Sequence, residues 1–271
     1  MDTITRKSLL YKSKVNYDDI DYALNHVLGC AHGCLYPCYA FLQAQRFNPA
    51  IVTHSDWKRP RIVKNALELL EKDLKRIGPQ NISNVHLCFT TDPFMYDYRT
   101  GKSFPEVEEL TMLILFRLWN EGIYTTTLTK GLYPIDWITR TPGAGLNSYG
   151  VTLVSLSKFF QKRFEPYSAP FDLRLERLRQ LHLKGLRTWV SMEPFPTPNI
   201  DSVAASKRNT LKLLDAVGFV DKIIFGPWNY NTHVKEYDLE NHGDFFSETA
   251  AKIKAYCDER EIEFYDKRES K

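Results

Sequence analysis

The sequence predicts an α/β fold of parallel strands covered by helices, a partial (β/α)6-type TIM-like barrel with its active site at the C-terminal strand ends. Three observations point there. Short β-rich runs alternate with amphipathic helical stretches six or seven times. No change of composition, Gly/Ser linker or repeat divides the 271 residues. The residue after almost every expected strand is polar, and in such folds the chemistry sits on those residues. An open doubly wound sheet has the same periodicity and is the competing architecture. The chain is read as one domain over 1–271, with 1–24 an N-terminal extension and about 230–271 a C-terminal helix and strand extension.

A first strand is expected to end near Val27 and Leu28, followed by a cysteine loop and a helix over 39–47. Pro60 opens a periodic helix to about Arg76, with Ile62, Ala66, Leu69, Leu70 and Leu74 on one face and Gly78 as its stop. Val85 to Phe89 reads as the second strand, and 106–120 as a helix. Ile123 to Leu128, rich in β-branched residues, is the third strand. Tyr149 to Val154 is the fourth, followed by a helix over 172–184 that Gly185 ends. Leu186 to Met192 and Lys222 to Phe225 are the fifth and sixth. Ile262 to Tyr265 adds a seventh after a helix around 250–257. The polar strand ends are then Cys30, Thr90 to Asp92, Thr129 with Lys130, Ser155 with Ser157, Glu193, and Asn229 with Asn231. Each of these types also caps helices and forms turns, so the position alone does not assign a role.

Hydrophobic residues make up 43% and charged residues 25%, an ordinary globular balance that excludes disordered and collagenous classes. No run approaches the ~20 apolar residues of a membrane span, and the polar segment from Met1 to Lys14 reads as the start of a cytoplasmic protein. The net charge of +3 permits nucleic acid as a partner without indicating it. Residues 156–190 hold eight Lys or Arg against three acids, a local excess that suits either a phosphate contact or a solvated helix face.

Three of the five cysteines, Cys30, Cys34 and Cys38, fall within nine residues of Gly29-Cys30-Ala31-His32-Gly33-Cys34-Leu35-Tyr36-Pro37-Cys38-Tyr39-Ala40. That clustering points to a metal centre. Three thiolates on one loop suit three irons of a cubane cluster, whose fourth iron then lacks a protein ligand. Zinc with His32 as fourth ligand is the competing reading, although zinc loops favour two-residue gaps in two pairs. A redox dithiol is disfavoured because no Cys-x-x-Cys occurs.

The loop resembles that of the radical S-adenosylmethionine superfamily, and its Cys-x-His-Gly-Cys-x-Tyr wording with Cys38-Tyr39-Ala40 is similar to the spore photoproduct lyase-like branch. Thr91-Asp92-Pro93-Phe94, Leu128-Thr129-Lys130, and Glu165-Pro166 followed by Arg174, Leu175 and Leu178 resemble further motifs of that branch in the same order. One departure stands out: three residues, Leu35, Tyr36 and Pro37, separate the second and third cysteines where the family has two, with Pro37 as the apparent insertion.

The resemblance implies an enzyme with a 4Fe-4S cluster on Cys30, Cys34 and Cys38 that cleaves S-adenosylmethionine reductively, the resulting 5′-deoxyadenosyl radical taking hydrogen from a substrate. It further implies that Thr90, Thr91 and Asp92 meet the methionine amino group and Lys130 the carboxylate. Ser155 or Ser157 would meet ribose or carboxylate, Tyr36 adenine, and Glu193 and Asn229 ribose or substrate. An external electron donor such as flavodoxin or ferredoxin is implied as a partner. Two alternatives stay open, a nucleic-acid repair or modification enzyme of the same branch and a non-catalytic zinc or Fe-S binding protein. Phe89 stands directly before Thr90-Thr91-Asp92, where the lyases carry a hydrogen-donating cysteine, and strand alternation turns Cys88 to the opposite side. Photoproduct lyase activity is therefore not expected. With only Cys88 and Cys257 left over, an auxiliary cysteine-rich cluster is excluded.

Overall fold

The computed structural model describes residues 1–13, 19–36 and 38–269. Pro37, the expected insertion, and Lys14 lie outside the described residues.

An eight-stranded sheet organises the chain. Seven of its strands run parallel: β1 (Tyr22–Leu24), β2 (Asn84–Leu87), β3 (Tyr124–Thr129), β4 (Asn147–Thr152), β5 (Thr188–Phe195), β6 (Lys222–Pro227) and β7 (Glu263–Asp266). They lie side by side in chain order, and Leu10–Lys12 pairs antiparallel on the outside of β1. β7 and Leu10–Lys12 are the edges, so among the described residues the sheet is open rather than a closed ring.

The β-branched runs form the strands because alternate side chains can be buried on two faces. One face packs on the helices through Val85, Leu87, Tyr149, Val151, Val190, Met192, Ile223 and Phe225, all in the main core. On the other face Ile20, Trp189 and Ile224 cluster with Phe89, Leu128 and Tyr265. Gly150 is required there: a Cβ at this position would come within 2.2 Å of the Trp189 indole.

The covering helices follow the expected periodicity. Ala66–Ile77 buries Ala66, Leu69, Leu70 and Leu74 on one stripe, and Gly78, at φ +83°, ends it by donating its N–H to the Leu74 carbonyl. Pro105–Trp119, Phe171–His182, Lys207–Val217 and Asp244–Asp258 each cover the sheet with an apolar face.

Three departures from the expected boundaries bear on the site. The helix expected from Pro60 starts only at Ala66, because Arg61–Val63 forms a short strand between Asp2–Ile4 and Val27–Leu28 in a separate three-stranded sheet. For the same reason the first strand of the main sheet ends at Leu24, and Val27–Leu28 belongs to the small sheet. The alternation expected to turn Cys88 away also does not hold. β2 stops at Leu87, and Cys88 has φ +65°, a left-handed turn that breaks the two-residue period. Phe89 therefore stacks on His86 of the same strand, with ring centres 3.8 Å apart and planes at 5°.

Candidate functional site

The cysteine loop leaves Val27–Leu28 and enters the helix Tyr39–Phe47, for which Cys38 is the N-cap. Backbone contacts on three sides fix it. The Cys30 N–H donates to the Trp57 carbonyl at 2.9 Å, the Leu35 N–H to the Phe164 carbonyl at 2.8 Å, and the Thr91 hydroxyl to the Gly29 carbonyl. Gly29, at φ +91°, has no alternative, since a Cβ would lie 2.6 Å from the Trp57 carbonyl oxygen. Cys30, Cys34 and Cys38 are all free and only partly exposed as residues. Burial pushes the Cys30 and Cys34 thiols up, Cys34 to about 12. Both are thus protonated, and binding a metal would release those protons.

Among the described residues, no three His, Cys, Asp or Glu side chains converge as ligands of a single metal ion. A cubane does not need such convergence, because each thiolate binds a different iron. His32 cannot complete a zinc site as arranged. Its Nε2 accepts the Tyr96 N–H at 2.9 Å, which places the ring proton on Nδ1, 3.5 Å from Asp92 Oδ2, and the ring is buried. The donor set thus fits a three-thiolate cluster better than a tetrahedral zinc.

The end of β2 turns back through Thr90-Thr91-Asp92. Asp92 is buried, with Oδ1 accepting from the Phe94 N–H (2.9 Å) and the Thr129 hydroxyl (2.6 Å), and Oδ2 from the Lys130 N–H (2.8 Å). It therefore ties the β2 and β3 ends to each other and, through His32, to the cysteine loop. Thr90 donates its N–H to Asn25 Oδ1 at 3.0 Å. Ser157 caps the helix Lys158–Phe164 by accepting the Phe160 N–H, and Ser155 accepts the Ser157 N–H at 3.1 Å.

The Lys130 ammonium, at the end of β3, lies 3.7 Å from Glu165 Oε1 and 5.3 Å from the centre of the Tyr36 ring. Burial works against its charge, but Glu165, Cys34 and Cys38 together raise its pKa. Glu165 in turn accepts from Tyr36 Oη at 3.0 Å and from Arg174 Nη2 at 2.8 Å. Arg174 is 1% exposed and also donates to the carbonyls of Ala169 (2.7 Å) and Thr152 (2.9 Å). Burial alone would raise the Glu165 pKa, yet Arg174, Lys130 and Tyr36 hold it below the usual carboxylate range. The Glu165 and Arg174 motif, nine residues apart, thus becomes a buried ion pair directly behind the thiols. Tyr36 packs edge-on against Trp228 at 5.1 Å, which brings the loop after β6 onto the cysteine loop.

Glu193 and Asn229 also come together, with Asn229 Nδ2 donating to Glu193 Oε1 at 3.4 Å. Their third partner, Lys267, forms an ion pair with Glu193 Oε2 and was not expected from the sequence. Extending the strand-end rule to β7 finds it, since Lys267 directly follows Asp266. Among the aromatic residues of the neighbouring loops and helices, Trp57, Tyr96 and Trp228 are buried, whereas Tyr98 and Trp137 are exposed.

No protein-family model and no curated protein matches the sequence. Solved structures do. Spore photoproduct lyase complexed with dinucleoside spore photoproduct matches 97% of this chain and 80% of its own at 14% identity, TM-score 0.67. Streptococcus suis SuiB bound to precursor peptide SuiA matches 78% of this chain and 44% of its own at 14% identity, TM-score 0.53. Methylornithine synthase matches 90% of this chain and 70% of its own at 9% identity, TM-score 0.50. The chain shares the fold of these solved structures, and with spore photoproduct lyase the likeness extends over nearly its whole length.

Proposed function

We propose that the protein is a radical S-adenosylmethionine enzyme, a partial barrel of one domain that binds a 4Fe-4S cluster on Cys30, Cys34 and Cys38. The observation that carries this reading is the three-thiol loop set against Lys130 and Asp92 at the C-terminal strand ends of a fold shared with such enzymes. When bound, the cluster supplies the electron for reductive cleavage of S-adenosylmethionine to a 5′-deoxyadenosyl radical that takes hydrogen from substrate.

The chain's own residues bind and orient. Lys130 offers a buried ammonium to the methionine carboxylate, a charge-assisted contact. Thr90 and Thr91 present hydroxyls to the amino group, and Asp92 adds negative potential although donors already engage both its oxygens. Tyr36 faces adenine, and Ser155, Ser157, Glu193 and Asn229 serve ribose or substrate. An external flavodoxin or ferredoxin supplies the electron. The apolar wall of Phe89, Leu128 and Trp189 keeps water from the reacting centre.

Anaerobic reconstitution tests the reading. The wild type should hold about four irons per chain and form 5′-deoxyadenosine from S-adenosylmethionine under a strong reductant, and Cys34→Ala should lose both. Stoichiometric zinc, or a cluster without S-adenosylmethionine cleavage, would instead support a metal-stabilised binding protein. A nucleic-acid substrate is a second reading, favoured by the structural likeness to a lyase bound to a dinucleoside photoproduct. It requires salt-dependent oligonucleotide binding, and absence of binding at low salt removes it.

A further inference from the structure

The open edge of the sheet ends in a group of hydrogen-bond donors that the cysteine loop does not use. Arg6 follows the strand Asp2–Ile4, and Asn65 clamps its backbone by accepting the Arg6 N–H at 3.2 Å and donating Nδ2 to its carbonyl at 3.0 Å. The side chain is half-buried, and among the described residues its guanidinium has no carboxylate or hydrogen-bond acceptor. Beside it stands Tyr11 on the edge strand, 40% exposed. The Tyr11 oxygen accepts from Asn25 Nδ2 at 2.6 Å, which leaves its own hydrogen free to donate. Asn25 is oriented by the Thr90 N–H on its Oδ1, so this group joins directly to the strand end assigned to S-adenosylmethionine.

Among the described residues, the titratable groups that act on Arg6 are Tyr11, Cys88 and His26. Cys88 is kept as the neutral thiol by burial, and its Sγ lies 3.4 Å from His26 Nδ1. His26 is neutral as well, pushed down to about 3 by burial and by the Arg6 charge. Asp92 already accepts from Phe94, Thr129 and Lys130. A guanidinium withdrawn from water without a partner is unfavourable by itself, and its planar fork matches an oxyanion in two-point contact.

We propose that Arg6 and Tyr11 form an oxyanion subsite that receives a carboxylate or phosphate group of the substrate beside Thr90. The inference rests on the reading that these strand ends are the reaction chamber. It adds to that reading the charge of the substrate and the side from which the substrate is held.

The test is titration of the full-length protein, selectively labelled with ¹⁵N-arginine, with inorganic phosphate and separately with acetate at constant ionic strength. The Arg6 Nε–H signal, assigned by its loss in Arg6→Lys, should shift saturably with at least one anion. Tyr11→Phe, at an exposed position, should weaken that binding about fivefold, the worth of one hydrogen bond. Preference for phosphate would identify a phosphorylated substrate and preference for acetate a carboxylic acid. A signal that does not move, or a saturable shift that Tyr11→Phe leaves unchanged, overturns the subsite. The titration uses no iron, S-adenosylmethionine or reductant, so its failure leaves the cluster reading intact, and failure of cluster assembly leaves this result standing.

Discussion

Replacing Arg174 with Met should destabilise the protein by about 3 kcal/mol, the lower end of the ~3–5 kcal/mol seen when one partner of a buried ion pair is removed. Met preserves most of the volume but deletes the donors to Glu165, Ser168, Ala169 and Thr152. Lys130 at 3.7 Å and Tyr36 at 3.0 Å stay with Glu165, which sets the lower end of that range. For a chain of this size the melting temperature should fall by about 6–12 °C, at roughly 2–4 °C per kcal/mol. Urea unfolding with linear extrapolation measures the difference directly. Glu165→Gln in the Arg174→Met background should restore part of the loss by removing a buried carboxylate that has lost the nearer of its two cations. The pH dependence follows from linkage. Glu165 has a folded pKa below its ordinary 4.5, so its contribution is complete above that value and disappears as pH falls through the folded pKa. The gap between wild type and Glu165→Gln should accordingly close in acid. A loss under ~1 kcal/mol for Arg174→Met, or no recovery in the double variant, would refute the buried-pair account.

Gly150→Ala should cost about 1–3 kcal/mol in the same unfolding experiment, because the added methyl enters the Trp189 indole 2.2 Å away; an unchanged midpoint would show that the indole relocates freely. Asp92→Asn turns an amide N–H toward donors that now meet carboxylate oxygens, and should lower stability by about 1–3 kcal/mol, with a midpoint within error of wild type as the contrary result. Lys130→Met keeps the Glu165 to Arg174 pair and should leave the fold intact while weakening S-adenosylmethionine binding to the reconstituted protein at least tenfold. Partial rescue by Lys130→Arg would separate a carboxylate contact from a packing role, and unaltered affinity in Lys130→Met would remove that contact.

The parts of the site legible in the sequence are those set by local chemistry. Strand ends are marked by a change from β-branched to polar residues, and that change alone places Thr90 to Asp92, Lys130 and Glu193 at one end of the sheet. The helix faces are legible for the same kind of reason, a 3.6-residue stripe such as Leu69, Leu70 and Leu74. What local pattern does not carry is pairing across the chain. Arg61–Val63 is three residues long and looks like the first turn of the helix beside it. Only its partners Asp2–Ile4 and Val27–Leu28 make it a strand. Cys88 shows the same limit at one residue. Its left-handed φ resets the two-residue alternation expected through it, while its N–H still reaches the Leu24 carbonyl at 2.7 Å on the neighbouring strand.

The roles of Glu165 and Arg174 show why a motif match and a physical account are separate achievements. The spacing of nine residues has no meaning on a helix or strand, because Glu165 caps one helix and Arg174 lies in the next. Their contact exists because Arg174 reaches both the end of β4, through the Thr152 carbonyl, and the turn at Ala169. That contact presets the charge around the thiols. With Arg174 neutralising Glu165, Lys130 remains as the cation in electrostatic reach of Cys34 and Cys38. In the proposed reading, deprotonating Cys34 for a cluster would add negative charge where a positive one already waits, which lowers the work of assembly. The same ammonium is offered to the carboxylate of S-adenosylmethionine in the proposed reading. Arg174 is thus a positioning residue: it lets Glu165 hold Lys130 and Tyr36 in place without consuming the one charge that the site needs.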